Sequence, residues 1–74
     1  MKLKIIKCSD PQMWYRDQIG KQFDIVGEHK EREFSYKKDK WMDITAFTVR
    51  DNEGYPNKVK GYDCRLMLEH VSHN

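Results

Sequence analysis

Two cysteines and the C-terminal histidines are the side chains of this chain best suited to hold a metal ion. Thiolates and imidazoles are the usual ligands of zinc, so Cys8, Cys64, His70 and His73 form the candidate set. Structural zinc sites pair ligands at short spacing, whereas these cysteines lie near opposite ends of the chain. His70 and His73 are paired, but in a tail (70–74) that we expect to be frayed. The sequence therefore predicts no metal and no cofactor, and two thiols packed in the core.

Catalysis by a nucleophile needs a base within reach and a third group that orients the base. His29 is far in sequence from either cysteine, and the four glycines are scattered singly, so no phosphate-binding loop is present. Asp39 and Asp43 flank a hydrophobic Trp41-Met42 pair with no sign of a cleft. The pattern predicts a protein that is not an enzyme.

Aromatic side chains offer a different chemistry, since they are too numerous for the thin core of a chain of 74 residues. Phe34, Tyr55 and Tyr62 are expected to be ordinary packing residues of the domain. The remaining aromatics in or beside predicted loops suit a protein interface, where aromatic and arginine side chains bury much area at low entropic cost. The predicted partner-binding face comprises Trp14, Tyr15, Arg16, Tyr36 and Trp41.

The same aromatics would also suit stacking on nucleic-acid bases, with basic side chains near the phosphates. The candidate phosphate contacts are Lys30, Arg32, Lys37, Lys38 and Lys40. Acidic residues interleave with them: Glu28, Glu31, Glu33, Asp39 and Asp43. Because those carboxylates would repel a phosphate backbone, a protein partner is favoured and nucleic acid is the alternative.

The elements that must position these residues are predicted to be short strands. Leu3, Ile5, Ile6 and Cys8 indicate a first strand, which Ser9-Asp10-Pro11 ends. Phe23 to Val26 indicates a second strand. The polar segment 28–43 is predicted to be a long, twisted hairpin with Lys38-Asp39-Lys40 at its tip, although a helix or a mobile loop would also fit its composition.

The second half of the chain has a clearer strand pattern. The β-branched run 44–49 predicts a strand, Asp51 to Gly54 a turn in which Gly54 takes a positive φ, and 55–60 a partner strand that Pro56 confines to a sheet edge. Gly61 to Asp63 resembles a short helical turn, and 64–71 a last strand. The predicted fold is mainly β: one domain (1–74) forming a small, five-stranded, partly open barrel.

Bulk properties limit the class of partner and the location. The net charge of +2 comes from 14 basic and 12 acidic residues that are mixed along the chain. Nucleic-acid-binding domains of this size usually carry a larger basic excess. Neither a signal peptide nor a membrane span is recognisable, and two remote cysteines do not make a disulfide framework. We therefore expect a cytoplasmic protein that does not interact with membranes.

Several short segments resemble the small SH3-like β-barrel proteins of Bacillus and its phages. The segments are 2–10 with its Cys-Ser-Asp ending, Trp14-Tyr15, Ile19-Gly20, 23–25, 51–55, Lys60 and 63–66. The resemblance implies an SH3-like barrel with a 3-10 turn near Gly61 to Asp63, and it implies no reaction. The charged segment 28–43 is longer than the family pattern.

The resemblance also implies a functional hypothesis, because phage proteins of this size often act on host machinery. The hypothesis is a phage-encoded, non-enzymatic protein that binds a bacterial host protein as an inhibitor or an adaptor. Its alternative is a nucleic-acid-binding accessory domain. The oligomeric state stays open, and exposed strand edges would favour self-association.

Overall fold

A computed structural model describes residues 1–68 of the chain as a mainly β domain. Five antiparallel strands form one sheet in the order β4-β3-β2-β1-β5, and the sheet is not closed into a barrel. The predicted class, five strands with a short 3-10 turn before the last one, is confirmed. The elements are β1 (Lys2–Ile5), β2 (Gln22–Ser35), β3 (Lys40–Arg50), β4 (Pro56–Lys60), the 3-10 turn (Gly61–Asp63) and β5 (Cys64–Met67).

The predicted hairpin in 28–43 is confirmed, and it is the outer half of a longer one. β2 and β3 stay paired from Ile25 opposite Val49 to Ser35 opposite Lys40, with one bulge near the start. The turn occupies 36–39, where Asp39 takes a positive φ of 54°. The two-residue alternation continues through the charged residues, so each predicted strand extends farther than its hydrophobic residues alone indicated.

Other predicted boundaries shift by a few residues. β1 ends at Ile5 and does not reach Cys8. β5 ends at Met67, and the part of the predicted last strand beyond Leu68 lies outside the described residues. The turn at 51–54 is confirmed: the carboxylate of Asp51 accepts backbone hydrogen bonds from Glu53 and Tyr55, both at 2.9 Å. Gly54 has the expected positive φ of 87°.

The core lies where β1, β2, β3 and β4 face the long connection 6–21. Its buried hydrophobic residues are Leu3, Ile5, Tyr15, Phe23, Phe47, Val49 and Val59. Cys8 and Cys64 are free thiols, and both are half-buried against this cluster as predicted. Burial raises the pKa of the Cys64 thiol, which keeps it protonated.

The connection 6–21 also covers the outer edge of β4. The indole Nε1 of Trp14 donates to the carbonyl of Lys58 at 2.8 Å, and the hydroxyl of Tyr15 accepts from the backbone N–H of Lys60 at 3.4 Å. An open strand edge invites unwanted pairing, so the two aromatic residues protect this edge.

A buried carboxylate anchors the connection to the 3-10 turn. Asp63 is fully buried and accepts from the hydroxyl of Tyr15 at 2.5 Å, and from the backbone N–H (3.1 Å) and the hydroxyl of Ser9. Burial and the hydrogen bond to Asp63 raise the pKa of Tyr15, so its phenol remains a donor. No buried side-chain polar atom within 1–68 lacks a partner, as expected for a well-formed interior.

Candidate functional site

The end of the β2–β3 hairpin carries an aromatic cluster that lies outside the core. Phe34 is directly opposite Trp41 in the strand register, and their ring centroids are 5.5 Å apart at an interplanar angle of 76°. Tyr36 also packs edge-to-face on Phe34, with a centroid distance of 5.0 Å and an interplanar angle of 73°. The exposed fractions are 89% for Tyr36 and 58% for Trp41. Because these rings do not pack in the core, they contribute nothing to its stability. Exposed apolar patches of this kind commonly mark an interaction site.

The strand lengths explain why this cluster projects from the domain. Phe23 lies in the core near the start of β2 and Phe34 near its end. At about 3.3 Å per residue, roughly 35 Å of strand separates them. The described chain is accordingly elongated, with principal dimensions of 49 × 29 × 19 Å. Continuous antiparallel pairing therefore presents the cluster on a supported arm and not on an irregular loop.

Basic side chains surround the aromatic cluster. The guanidinium of Arg32 lies 5.8 Å from the ring centroid of Trp41, and its ion pair with Asp43 is long (3.8 Å) and exposed. Exposed pairs of this kind contribute little to stability. Three lysines lie at or next to the turn and take part in no salt bridge within residues 1–68. We call the whole set the hairpin-tip surface: Arg32, Phe34, Tyr36, Lys37, Lys38, Lys40 and Trp41.

Two acidic residues of β2, Glu31 and Glu33, lie on the opposite face of the hairpin from Arg32 and the Phe34–Trp41 pair. Glu31 and Glu33 alternate with Arg32 and are opposite Ile44 and Met42 in the register. β4 neutralises both: Lys58 pairs with Glu31 at 2.6 Å, and Lys60 pairs with Glu33. Strand alternation thus separates charges that are interleaved in the sequence.

The Glu33–Lys60 pair is the most structured ion pair of the hairpin. The side chain of Lys60 is 18% exposed, and Glu33 also accepts from the hydroxyl of Tyr62 at 2.8 and 3.0 Å. Hydrogen bonding to Lys60, and then to Tyr62, lowers the pKa of Glu33. The same bond raises the pKa of Lys60 above its ordinary value. Together with Tyr62, the pair fastens the turn-proximal end of β2 to the end of β4 and the 3-10 turn.

Replacing this carboxylate should produce a loss of stability that depends on pH. We expect Glu33→Gln to cost about 1 kcal/mol at neutral pH, between the values for exposed pairs and buried charged hydrogen bonds. The lowered pKa makes the wild-type advantage complete above the ordinary pKa of 4.5, and the advantage disappears as the pH falls through the folded value. Loss on the alkaline side begins only above 10.5, the ordinary pKa of Lys60.

Urea denaturation of both proteins between roughly pH 2.5 and pH 8 measures this difference. These limits lie about two pH units below and well above the ordinary pKa of a glutamate carboxyl group. Asp43→Asn is the matched control, since the side chain of Asp43 is 82% exposed. A Glu33→Gln penalty that stays constant down to the lowest pH would show that the ionised pair contributes nothing.

The structure does not assemble the predicted partner-binding face. Tyr36 and Trp41 belong to the hairpin-tip surface, whereas Trp14 packs edge-to-face on Tyr15 (5.5 Å) and Phe23 (5.3 Å) at the core. Tyr15 is fully buried, so its assignment as a contact residue is wrong. Arg16 is exposed beside them and donates to the carbonyl of Met13 at 3.3 Å. Trp14 and Tyr15 are far in sequence from β4 and the 3-10 turn but contact them in the fold, so the sequence alone made them resemble free loop aromatics.

The aromatics expected to be ordinary packing residues also differ from that expectation. Phe34 is half-buried, but its neighbours are the tip aromatics and not the core cluster. Tyr55 is 64% exposed at the opposite end of β3, after the 51–54 turn. Tyr62 is 38% exposed, and its hydroxyl donates a hydrogen bond to Glu33. The predicted hairpin already placed Phe34 close to Trp41 on the neighbouring strand, and this pairing could have indicated the tip cluster from the sequence.

Apart from the projecting tip, the described residues form an open groove of about 590 Å³ between β3 and β5. Its lining is mainly apolar, and Leu66 contributes a 40% exposed side chain although it is opposite the buried Leu3 in the register. The residues that line it are Glu28, Ile44, Thr45, Phe47, Gly61, Tyr62, Cys64 and Leu66. It contains no paired acid and base groups arranged around a nucleophile.

Within residues 1–68, no three His, Cys, Asp or Glu side chains cluster as metal ligands, and His70 and His73 lie outside that range. No helix there is long and apolar enough to cross a membrane.

Comparisons with protein-family models, with curated proteins and with solved structures find no match to this chain. The resemblance to small SH3-like barrels of Bacillus and its phages therefore stays an expectation. The geometry of the described residues is what supports a function.

Proposed function

We propose that this protein is a non-enzymatic protein-binding module whose contact site is the hairpin-tip surface. The observation that carries the proposal is the exposed cluster of Tyr36 and Trp41 around Phe34, held on paired strands outside the core. Rigid aromatic side chains with large exposed area are the residues that most often dominate interface energies. Pairing of β2 with β3 fixes Phe34 and Trp41 before binding, and Tyr36, the first turn residue, packs on Phe34. This order reduces the entropic cost of association.

The mechanism we propose is occupancy of a surface on the partner. A protein of this size that binds tightly blocks that surface, as an inhibitor does, or carries the partner to another assembly, as an adaptor does. If the resemblance holds, the chain is phage-encoded and its partner is a protein of the bacterial host cytoplasm. Both versions use the hairpin tip for affinity and the remaining sheet as a support.

Affinity capture from bacterial cytosol, with and without nuclease, tests the proposal. The tagged wild type is compared with Tyr36→Ala/Trp41→Ala and with the control Tyr55→Ala, which removes an exposed aromatic from the other end of the sheet. We expect one protein to be enriched by the wild type and the control in both conditions, and to be lost with the tip variant. Enrichment that survives the double substitution, in a protein shown to be folded, would contradict the proposed site.

Nucleic acid is the second candidate, and one observation favours it. The acids Glu31 and Glu33, which argued against it in the sequence, lie on the opposite strand face from Arg32 and Trp41 and pair with Lys58 and Lys60. An oligonucleotide that binds with a steep inverse dependence on salt would support this candidate. In the capture experiment, nuclease would then abolish recovery.

A further inference from the structure

We propose that the hairpin-tip surface accepts an acidic segment of its protein partner, with an apolar side chain against the aromatic cluster and carboxylates facing the turn lysines. This inference rests on the proposed function and specifies the chemistry of the partner. It makes the tip a site for a short peptide that combines negative charge with one or two large apolar groups.

The charge at the turn supports an acidic partner. Between Phe34 and Trp41 the chain has three lysines, Lys37, Lys38 and Lys40, against one acid, Asp39. None of these lysines forms a salt bridge within residues 1–68, and all are exposed. An uncompensated positive field attracts a negatively charged segment and aligns it at the turn.

The aromatic cluster supports an apolar anchor within that segment. Tyr36 is 89% exposed and Trp41 58% exposed, so much ring surface is available for burial. Phe34 fixes both rings from one side through edge-to-face contacts. A leucine or phenylalanine side chain placed against them gains hydrophobic burial without any rearrangement of the arm.

The same geometry favours a peptide over a nucleic-acid strand. Bases stack on open ring faces, but the guanidinium of Arg32 lies over the ring of Trp41 at 5.8 Å, where a base would stack. Asp39 occupies the turn and Asp43 lies beside Arg32 on the aromatic face. These two carboxylates interrupt a continuous path for phosphates, whereas a peptide can place its own carboxylates between them.

Binding of three defined probes to the ¹⁵N-labelled protein tests this inference by NMR. The probes are a short synthetic peptide with Asp and Glu around a central Leu-Phe pair, the same peptide with Lys in place of the acids, and a thymidine oligonucleotide of equal negative charge. We expect the acidic peptide to shift the amide signals of 34–41 and the indole signal of Trp41. Lys37→Glu/Lys38→Glu should weaken this binding about tenfold or more.

Lys7→Glu/Lys21→Glu is the matched control, because it changes the net charge equally at exposed lysines remote from the hairpin tip. We expect it to change the affinity less than twofold. Equal loss in both double variants, tighter binding of the oligonucleotide, or no shift at the tip with a large excess of acidic peptide would each overturn the inference. Tip-dependent capture of a protein in the previous experiment would leave the proposed function standing in those cases, so the two failures are distinguishable.

Discussion

Asp63→Ala is expected to lower the free energy of unfolding by about 3–5 kcal/mol, the largest effect of any single substitution considered for this chain. The substitution leaves the hydroxyl of Tyr15 and both donors of Ser9 without their acceptor inside the protein. The buried hydroxyl of Tyr15, left without an acceptor, costs about 1–3 kcal/mol. Ser9 is exposed, so its two donors can bond to water and lose only the stronger bonds to a carboxylate. The connection 6–21 would also lose its anchor to the 3-10 turn, and with it the cover over the β4 edge.

Urea denaturation followed by circular dichroism measures the effect. A small domain has only about 5–10 kcal/mol to lose, so Asp63→Ala is expected to remove about half of its stability and to unfold at a much lower urea concentration. Ser9→Ala removes only one of the hydrogen bonds to Asp63, and we expect it to lower the free energy of unfolding by about 1–2 kcal/mol. This smaller loss stays measurable by denaturation. Asp24→Ala is the control, since the side chain of Asp24 is exposed and its ion pair with Lys2 is long, at 3.9 Å. An Asp63→Ala protein as stable as this control would refute the anchoring role.

The two tryptophans are expected to respond to substitution in opposite ways. Trp14→Ala should cost about 3 kcal/mol or more of stability, because the indole packs on Tyr15 and Phe23 and donates to Lys58. Trp41→Ala should cost about 1 kcal/mol or less, since it loses contacts only with Phe34 and Arg32 at an exposed site. Its effect should appear in partner binding, where removal of an aromatic anchor costs about 2 kcal/mol or more.

Thermal or urea denaturation of both variants, combined with the capture experiment, checks this contrast. The sequence interpretation placed both tryptophans in one contact face and predicts lost binding with a retained fold in each case. The structure predicts that outcome for Trp41 alone. A stable Trp14→Ala protein that no longer binds its partner would restore Trp14 to the contact face and contradict the edge-covering role.

Local patterns in the sequence determined most of the fold of this protein. β-branched runs, turn residues and Pro56 predicted the strands, the 51–54 turn, the edge position of β4 and the 3-10 turn, and the structure confirms them. These features depend on neighbours a few residues apart, so the physical causes act within the segment itself. The hairpin in 28–43 was predicted for the same reason, together with the exposed positions of Tyr36 and Trp41 at its end.

Only the tertiary structure decided which aromatics are free and which charges are compensated. Trp14 and Tyr15 have the same local signature as Trp41, but distant partners in β4 and at Asp63 bury or engage them. Likewise, Glu31 and Glu33 stand among lysines in the sequence, yet the pleat directs them to Lys58 and Lys60. These outcomes depend on contacts between residues far apart in the chain, and composition and short-range periodicity carry no information about such contacts.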